Sequence, residues 1–187
     1  CFGKGPTAVT VEATPEISVH GSKILVKGMV TDESPGTKDY DIRARFPKGV
    51  PAIADEYMSE WMEYVYMQQI KPANIKGVDV TITVLDPNGN CYDVAKTTSD
   101  ASGFYSATFE PPVPGKYTVI ATFSGSESYY GSSAETAIYV ESAPAETPPP
   151  TPTPAPMTDT YVLGLGAGAI IAIVIIGLVI ILMLRKR

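Results

Sequence analysis

From Val162 to Leu184 the chain runs without a charge, VLGLGAGAIIAIVIIGLVIILML, preceded by Tyr161 and followed by Arg185, Lys186 and Arg187. As a helix, a run of this length spans roughly 35 Å, enough for a hydrocarbon core of about 30 Å. Fifteen of its positions are Val, Leu or Ile. On an insertion scale these favour the bilayer by roughly 5 to 9 kcal/mol before the glycines are discounted. Nothing else in the chain is large enough to bury such a helix on all sides, so 161–184 is expected to be transmembrane. Its place at the end of the sequence speaks against a signal peptide. The basic triplet speaks against a cleaved lipid-anchor signal.

Arg185, Lys186 and Arg187 are expected to stay on the cytoplasmic side, because the opposite flank, Met157 to Thr160, carries only Asp159. That orientation puts everything from Cys1 to Thr160 outside the cell. Gly164 and Gly168 form a G-x-x-x-G, continued by Ala172. Such spacing lets two membrane helices approach closely and would permit a homo-oligomer, although small residues are also common in membrane helices without any such role.

All 20 acidic residues precede the helix, against 11 of the 14 basic ones, so the ectodomain carries a net charge near −9. That balance does not suit nucleic acid or anionic lipid. The sequence begins at Cys1 and not at Met, as expected of a processed product or a piece of a longer protein. Cys1 and Cys91 are the only cysteines. An oxidising exterior allows a disulfide between them, but their separation gives no strong reason to expect one. Cys1 as a lipidated residue is a further alternative, weakened by the anchor at the other end.

Thr7 to Ala13 alternates apolar and polar residues and reads as a strand, interrupted by Pro15. Ile17 to His20 is a second extended piece. Lys23 to Thr31 places Ile24, Val26 and Val30 on one face, and Gly28 marks a close approach or a bulge. Asp32 to Gly49 is polar, with two prolines and two glycines, and reads as a long loop. In PAIADEYMSEWMEYVYMQQ, residues 51–69, Ile53, Tyr57, Met58, Trp61, Met62 and Val65 form one helical stripe. Pro51 and the following acids suit a helix start, and Pro72 lies beyond its end.

After Gly77 the pattern is β. Val78, Val80, Ile82 and Val84 alternate with Asp79, Thr81 and Thr83. Asp86 to Asn90 is a tight hairpin turn, because Asn-Gly readily supplies positive φ. Strands follow at 91–98, 104–109, 116–124 and 134–141. About seven short strands with turns roughly every ten residues predict an all-β fold, an immunoglobulin-like β-sandwich over 7–141. Residues 33–76 form a loop-plus-helix insertion with a helix at about 52–69, and 1–6 a junction to an upstream region. Residues 142–160 hold prolines at 144, 148–150, 152, 154 and 156, mostly in Thr-Pro repeats. This Pro/Thr-rich stretch predicts a polyproline stalk whose threonines are candidates for O-linked sugar.

The blocks PAIADEYMSEWMEYVYMQQ, GVDVTITVLDPNGN and TTSDASGFYSATFEPPVPGKYTVIATFSGSESYYGSSAETAI, with the stalk and the helix ending LRKR, resemble the C-terminal region of archaeal surface proteins. These are methanogen-type pyrroloquinoline-quinone-binding-like β-propeller repeat proteins. The resemblance covers about residues 5 to 187 and implies a propeller upstream of Cys1. It lends no cofactor residue to this chain, which has no blade repeat and a single tryptophan, Trp61. No cofactor is expected.

Candidate chemistry is sparse. Asp86, Asn88 and Asn90 lack the glycine and terminal Glu spacing of a calcium loop, and turn chemistry explains them better. Glu56, Glu60 and Glu63 share a helix face that can hold a cation but reads more simply as solvated. His20 is the only histidine and has no ligand pattern near it. No nucleophile-elbow motif surrounds any serine, so no catalytic residue is assigned and the chain is not expected to be an enzyme. Trp61, with Tyr57, Tyr64 and Tyr66, suits either packing or a partner surface, with packing on the sandwich favoured. Tyr129 and Tyr130 are expected to be exposed and to offer the better contact with a neighbour.

The expectation is thus a single-pass cell-membrane protein whose extracellular sandwich acts as stalk and anchor for a larger surface protein. Its partners would be the lipid bilayer and the upstream domain. The alternative is a binding module whose insertion recognises a surface protein or glycan.

Overall fold

The computed structural model describes residues 3–144 and 158–185, the side chains of 158–163 excepted. The chain divides into two units, 1–144 and 145–187. The Pro/Thr stretch expected as a stalk falls largely outside the described residues, as do Cys1, Lys186 and Arg187.

The first unit is built from two five-stranded sheets packed as a sandwich. The first sheet is organised around β4 (Ile24–Asp32). One edge of β4 pairs with β1 (Thr7–Val9) and β2 (Glu12–Thr14). The other edge pairs with β5 (Val50–Pro51) and β8 (Phe104–Phe109). The second sheet runs β3 (Ile17–Val19), β10 (Ser132–Glu141), β9 (Gly115–Phe123), β6 (Asp79–Leu85), β7 (Cys91–Thr98). Its pairings are antiparallel except β3 with β10, which are parallel. The N-terminal segment therefore changes sheets between β2 and β3, where Thr14–Pro15 is cis.

The alternation seen in sequence sets which face is buried. Ile24 and Val26 of β4, Val80, Ile82 and Val84 of β6, and Tyr117, Val119 and Ala121 of β9 all turn inward and are no more than 1% exposed. A β-strand places every second side chain on one face. At about 1.5–3 kcal/mol for each fully buried large apolar side chain, this shared core is the main stabilising contribution.

Two features refine the expected strands. The single strand expected over 7–13 is two pieces in one register, because the ladder is diverted at Thr10. The Thr10 N–H still donates to Met29 O at 2.9 Å, but the Met29 N–H donates to Thr10 Oγ1 at 3.0 Å. The Thr10 carbonyl instead accepts the Tyr105 hydroxyl at 2.5 Å. Tyr105 is paired with Gly28, and its ring reaches Thr10 because Gly28 carries no side chain.

The 86–90 hairpin also differs from a two-residue Asn-Gly turn. Gly89 N–H donates to Asp86 O at 3.0 Å, Asp86 N–H to Asn90 O at 2.9 Å, and only Gly89, at φ +86°, is left-handed. This is a three-residue loop closed by a glycine bulge. Asp86 Oδ1 accepts the amides of Asn88 and Asn90, and Oδ2 the Asn90 side-chain amide. These bonds, led by the Asn90 side chain, hold the Asp86 carboxyl below its ordinary pKa. Asp100 and Gly103 repeat the device at the β7–β8 connection.

At the start of β9, the buried Tyr117 hydroxyl donates to Val113 O at 2.8 Å and accepts Val113 N–H at 3.1 Å. The proline-rich 111–114 connection is thereby tied to the strand it feeds.

The second unit contains α3 (Thr158–Arg185). Within it, Gly164–Arg185 has mean hydropathy 3.2 and is long and apolar enough to cross a membrane. A Cβ at Gly164 or Gly168 would meet nothing within 4 Å beyond the helix's own backbone.

Candidate interaction surface at the insertion end

The connection from β4 to β6 is the insertion. Its first half departs from the expected long loop. A 3-10 turn at Pro35–Lys38 leads into α1 (Tyr40–Arg45). So short a helix cannot show apolar periodicity, and it is held by a tertiary contact. The Arg45 guanidinium donates to Val65 O at 2.9 Å and Tyr64 O at 3.0 Å. Those carbonyls belong to the last turns of α2 (Met58–Met67), where unpaired acceptors and the helix dipole favour a cation. A 3-10 turn at Asp55–Tyr57 precedes α2, and left-handed Gln68 follows it.

Trp61 is 1% exposed, but it does not join the sandwich core as expected. It sits in a separate cluster with Ile42, Val50, Ile53, Val65 and Ile75, flanked by Phe46, Tyr64 and Ala101. Its ring meets Phe46 edge-on at 5.9 Å and Tyr64 at 5.3 Å. Met58, from the same helix, packs instead against the main core. The Trp61 indole N–H is buried and has no acceptor among the described residues, an omission that costs about 1–3 kcal/mol.

Tyr129 is corrected outright. It is 2% exposed, in the main core, with its hydroxyl donating to Asp32 Oδ2 at 3.4 Å. Burial, reinforced by the Asp32 charge, pushes that hydroxyl's pKa well above its ordinary value. Tyr130, next in sequence, is 59% exposed. The sequence reading treats the two as a pair on the surface, but an extended chain sends neighbours to opposite sides.

Three chain segments converge here. Gly5, expected in a mere junction, bridges in parallel to Tyr129; Gly5 N–H donates to Ser128 O and Tyr130 N–H to Gly5 O, both at 2.8 Å. Asp55 of the insertion accepts Ser126 Oγ at 2.9 Å, Glu127 N–H at 2.9 Å and Ser128 N–H at 3.1 Å. Between these segments lies an open groove of about 640 Å³ floored by Met58, Met62 and Tyr66.

Burial raises the Asp55 carboxyl, but the bonds from Ser128, Glu127 and Ser126 outweigh it and leave the pKa below its ordinary value. A depressed folded-state pKa adds stability above the unfolded value, about 3.9, and that stability is lost as pH falls through the folded one. Asp55→Ala is expected to cost about 1.5 kcal/mol, the lower end for bonds to a charged group because the carboxylate is partly solvated. The variant should also lose part of the stability decline below about pH 4 in urea melts recorded from pH 2 to 7. An unchanged acid limb would show that the staple contributes nothing.

The other sequence candidates are dispersed. His20 Nε2 lies 3.0 Å from Pro112 O at the opposite end. Glu56, Glu60 and Glu63 are exposed, and no three His, Cys, Asp or Glu side chains converge as a metal site among the described residues. Cys91 is exposed. Sequence reasoning missed Asp55, Asp32 and Arg45. The only signal was a charged residue beside an apolar one in the insertion, which does not reveal a partner far along the chain.

The fold and this surface define a two-sheet, sandwich-like β domain in a chain that also carries an apolar helix. No family model matches the chain, and no curated protein matches it. Among solved structures it is similar to Spo0M, a sporulation control protein from Bacillus subtilis, at 10% identity and a TM-score of 0.37, over 74% of this chain and 51% of that one. The chain thus spans about half the length of that protein.

Proposed function

We propose that this chain is a membrane-anchored extracellular immunoglobulin-like module, serving as stalk and anchor of a larger cell-surface protein. The observation that carries it is where the chain enters and leaves the sandwich. Gly5 is tied in beside the start of β10, and the chain departs at Glu141, where β10 ends. The length of that strand separates the two points by roughly 33 Å. The module therefore holds its entry and its exit apart, and the apolar helix lies beyond the exit in the sequence.

Strand order supports the immunoglobulin-like part of the reading. Taking β4 as B, β6 as C, β7 as C′, β8 as E, β9 as F and β10 as G gives A-B-E facing A′-G-F-C-C′. The Tyr117 bond to Val113 has the form of a tyrosine corner at the start of strand F. An upstream β-propeller and an archaeal source rest on the sequence resemblance alone.

Protease added to intact cells should release a soluble fragment ending within 145–160. A tag after Arg187 should become accessible only on permeabilisation. A tag readable from outside, with the sandwich protected, would reverse the orientation.

A further inference from the structure

We propose that the insertion carries a binding site for a carboxylate side chain of an acidic protein segment, in the cavity bounded by Lys48, Lys71, Arg45, Trp61 and Phe104. The site is an open depression with a volume of about 250 Å³, below the usual range for drug-sized ligands and sufficient for one side chain. Three of its lining residues are cationic and none is acidic. This local excess stands out in an ectodomain near −9. Among the described residues, neither Lys48 nor Lys71 has a carboxylate within ion-pair distance.

The second observation is independent of charge. Trp61 lines this cavity, and its indole N–H is, with the Tyr92 hydroxyl, one of two buried side-chain groups that have no partner among the described residues. Buried donors are ordinarily paired. Lys48 and Lys71, which line the same cavity, are exposed. A carboxylate brings both the negative charge that the lysines attract and the acceptor oxygens that a buried N–H requires.

The geometry favours a protein side chain over other anions. Arg45 is committed to Tyr64 O and Val65 O, which removes the bidentate fork that phosphate recognition uses. A sugar acid would need an open aromatic face to stack on. Phe104, the exposed ring of the site, already has Lys48 Nζ 4.9 Å above its centroid.

Trp61 is the chain's single tryptophan, so its emission reports directly on the site. The full chain in an uncharged detergent should be titrated with hexaglutamate, hexaglutamine and glucuronate at constant ionic strength, by fluorescence and calorimetry. Hexaglutamate is expected to give a saturable change that weakens as salt is raised. In the Lys48→Gln/Lys71→Gln variant, whose circular dichroism should be unchanged, affinity should fall at least tenfold. Three outcomes would overturn the proposal: neither signal with hexaglutamate, an equal response in the double variant, or saturation by glucuronate in place of the peptide. The site does not depend on the anchor reading, and reversed topology would leave this titration unaffected.

Discussion

Trp61→Ala is expected to destabilise the insertion by about 3–5 kcal/mol, the range for truncating a large buried aromatic. Trp61 is the largest member of a cluster with only six buried residues, and its two aromatic neighbours lose their contact with it. Because this cluster is separate from the sandwich core, the loss should be local. Amide exchange should accelerate across 40–67 while β6 and β9 remain protected. Trp61→Phe, which keeps ring contacts and removes the unpaired N–H, should cost distinctly less. Before any substitution, Trp61 emission should be blue-shifted and poorly quenched by acrylamide, a quencher without charge. A readily quenched Trp61, or an alanine variant with unchanged exchange, would dismantle this account of the insertion.

Gly28→Ala is expected to cost about 3 kcal/mol, the upper end for overpacking, although it adds one methyl group. The new Cβ would fall far inside van der Waals contact distance of the Thr10 carbonyl oxygen, 2.5 Å from the Tyr105 hydroxyl and 2.8 Å from the Thr10 carbonyl carbon. Two of those atoms are backbone and cannot rotate away. The change would also break the Tyr105–Thr10 bond, leaving a buried hydroxyl unpaired. A Tyr105→Phe/Gly28→Ala double variant should recover little, because the backbone clash remains. Urea midpoints of the parent and both variants would measure this. A Gly28→Ala variant within about 0.5 kcal/mol of the parent, a margin typical of surface changes, would exclude the close approach.

Much of the architecture was legible because it rests on local periodicity. The period-two runs at 24–32, 79–85 and 115–123 place their apolar residues on one face whatever lies opposite. Asp-x-x-Gly turns announce themselves through residues that favour left-handed or capped backbone. Gly28 read as a close approach or a bulge because a glycine in a strand interior marks one or the other, and the structure shows the close approach. The interaction surface was much less legible. Asp55 belongs to the insertion, whereas the 126–128 turn it holds lies across most of the sandwich sequence. Arg45 likewise caps carbonyls on a different helix. A charged side chain's own neighbours in sequence do not identify a distant acceptor. Tyr129 was misplaced for the same reason, since its burial depends on Asp32 and Met58 arriving from the insertion end.

The sequence by itself determined three things: an apolar helix of membrane-spanning length, a chain of short half-buried strands, and an amphipathic helix in the insertion. Each is set by composition and period within a short window. Tertiary structure alone decided that the N-terminal segment serves both sheets, that α1 exists, that Trp61 builds a core apart from the sandwich, and that its indole N–H, without a partner among the described residues, belongs to a site that two lysines also line. These are properties of which surfaces meet. A helix as short as α1, or a lone buried donor, has too little local free energy to declare itself, and becomes stable only when distant segments supply its contacts.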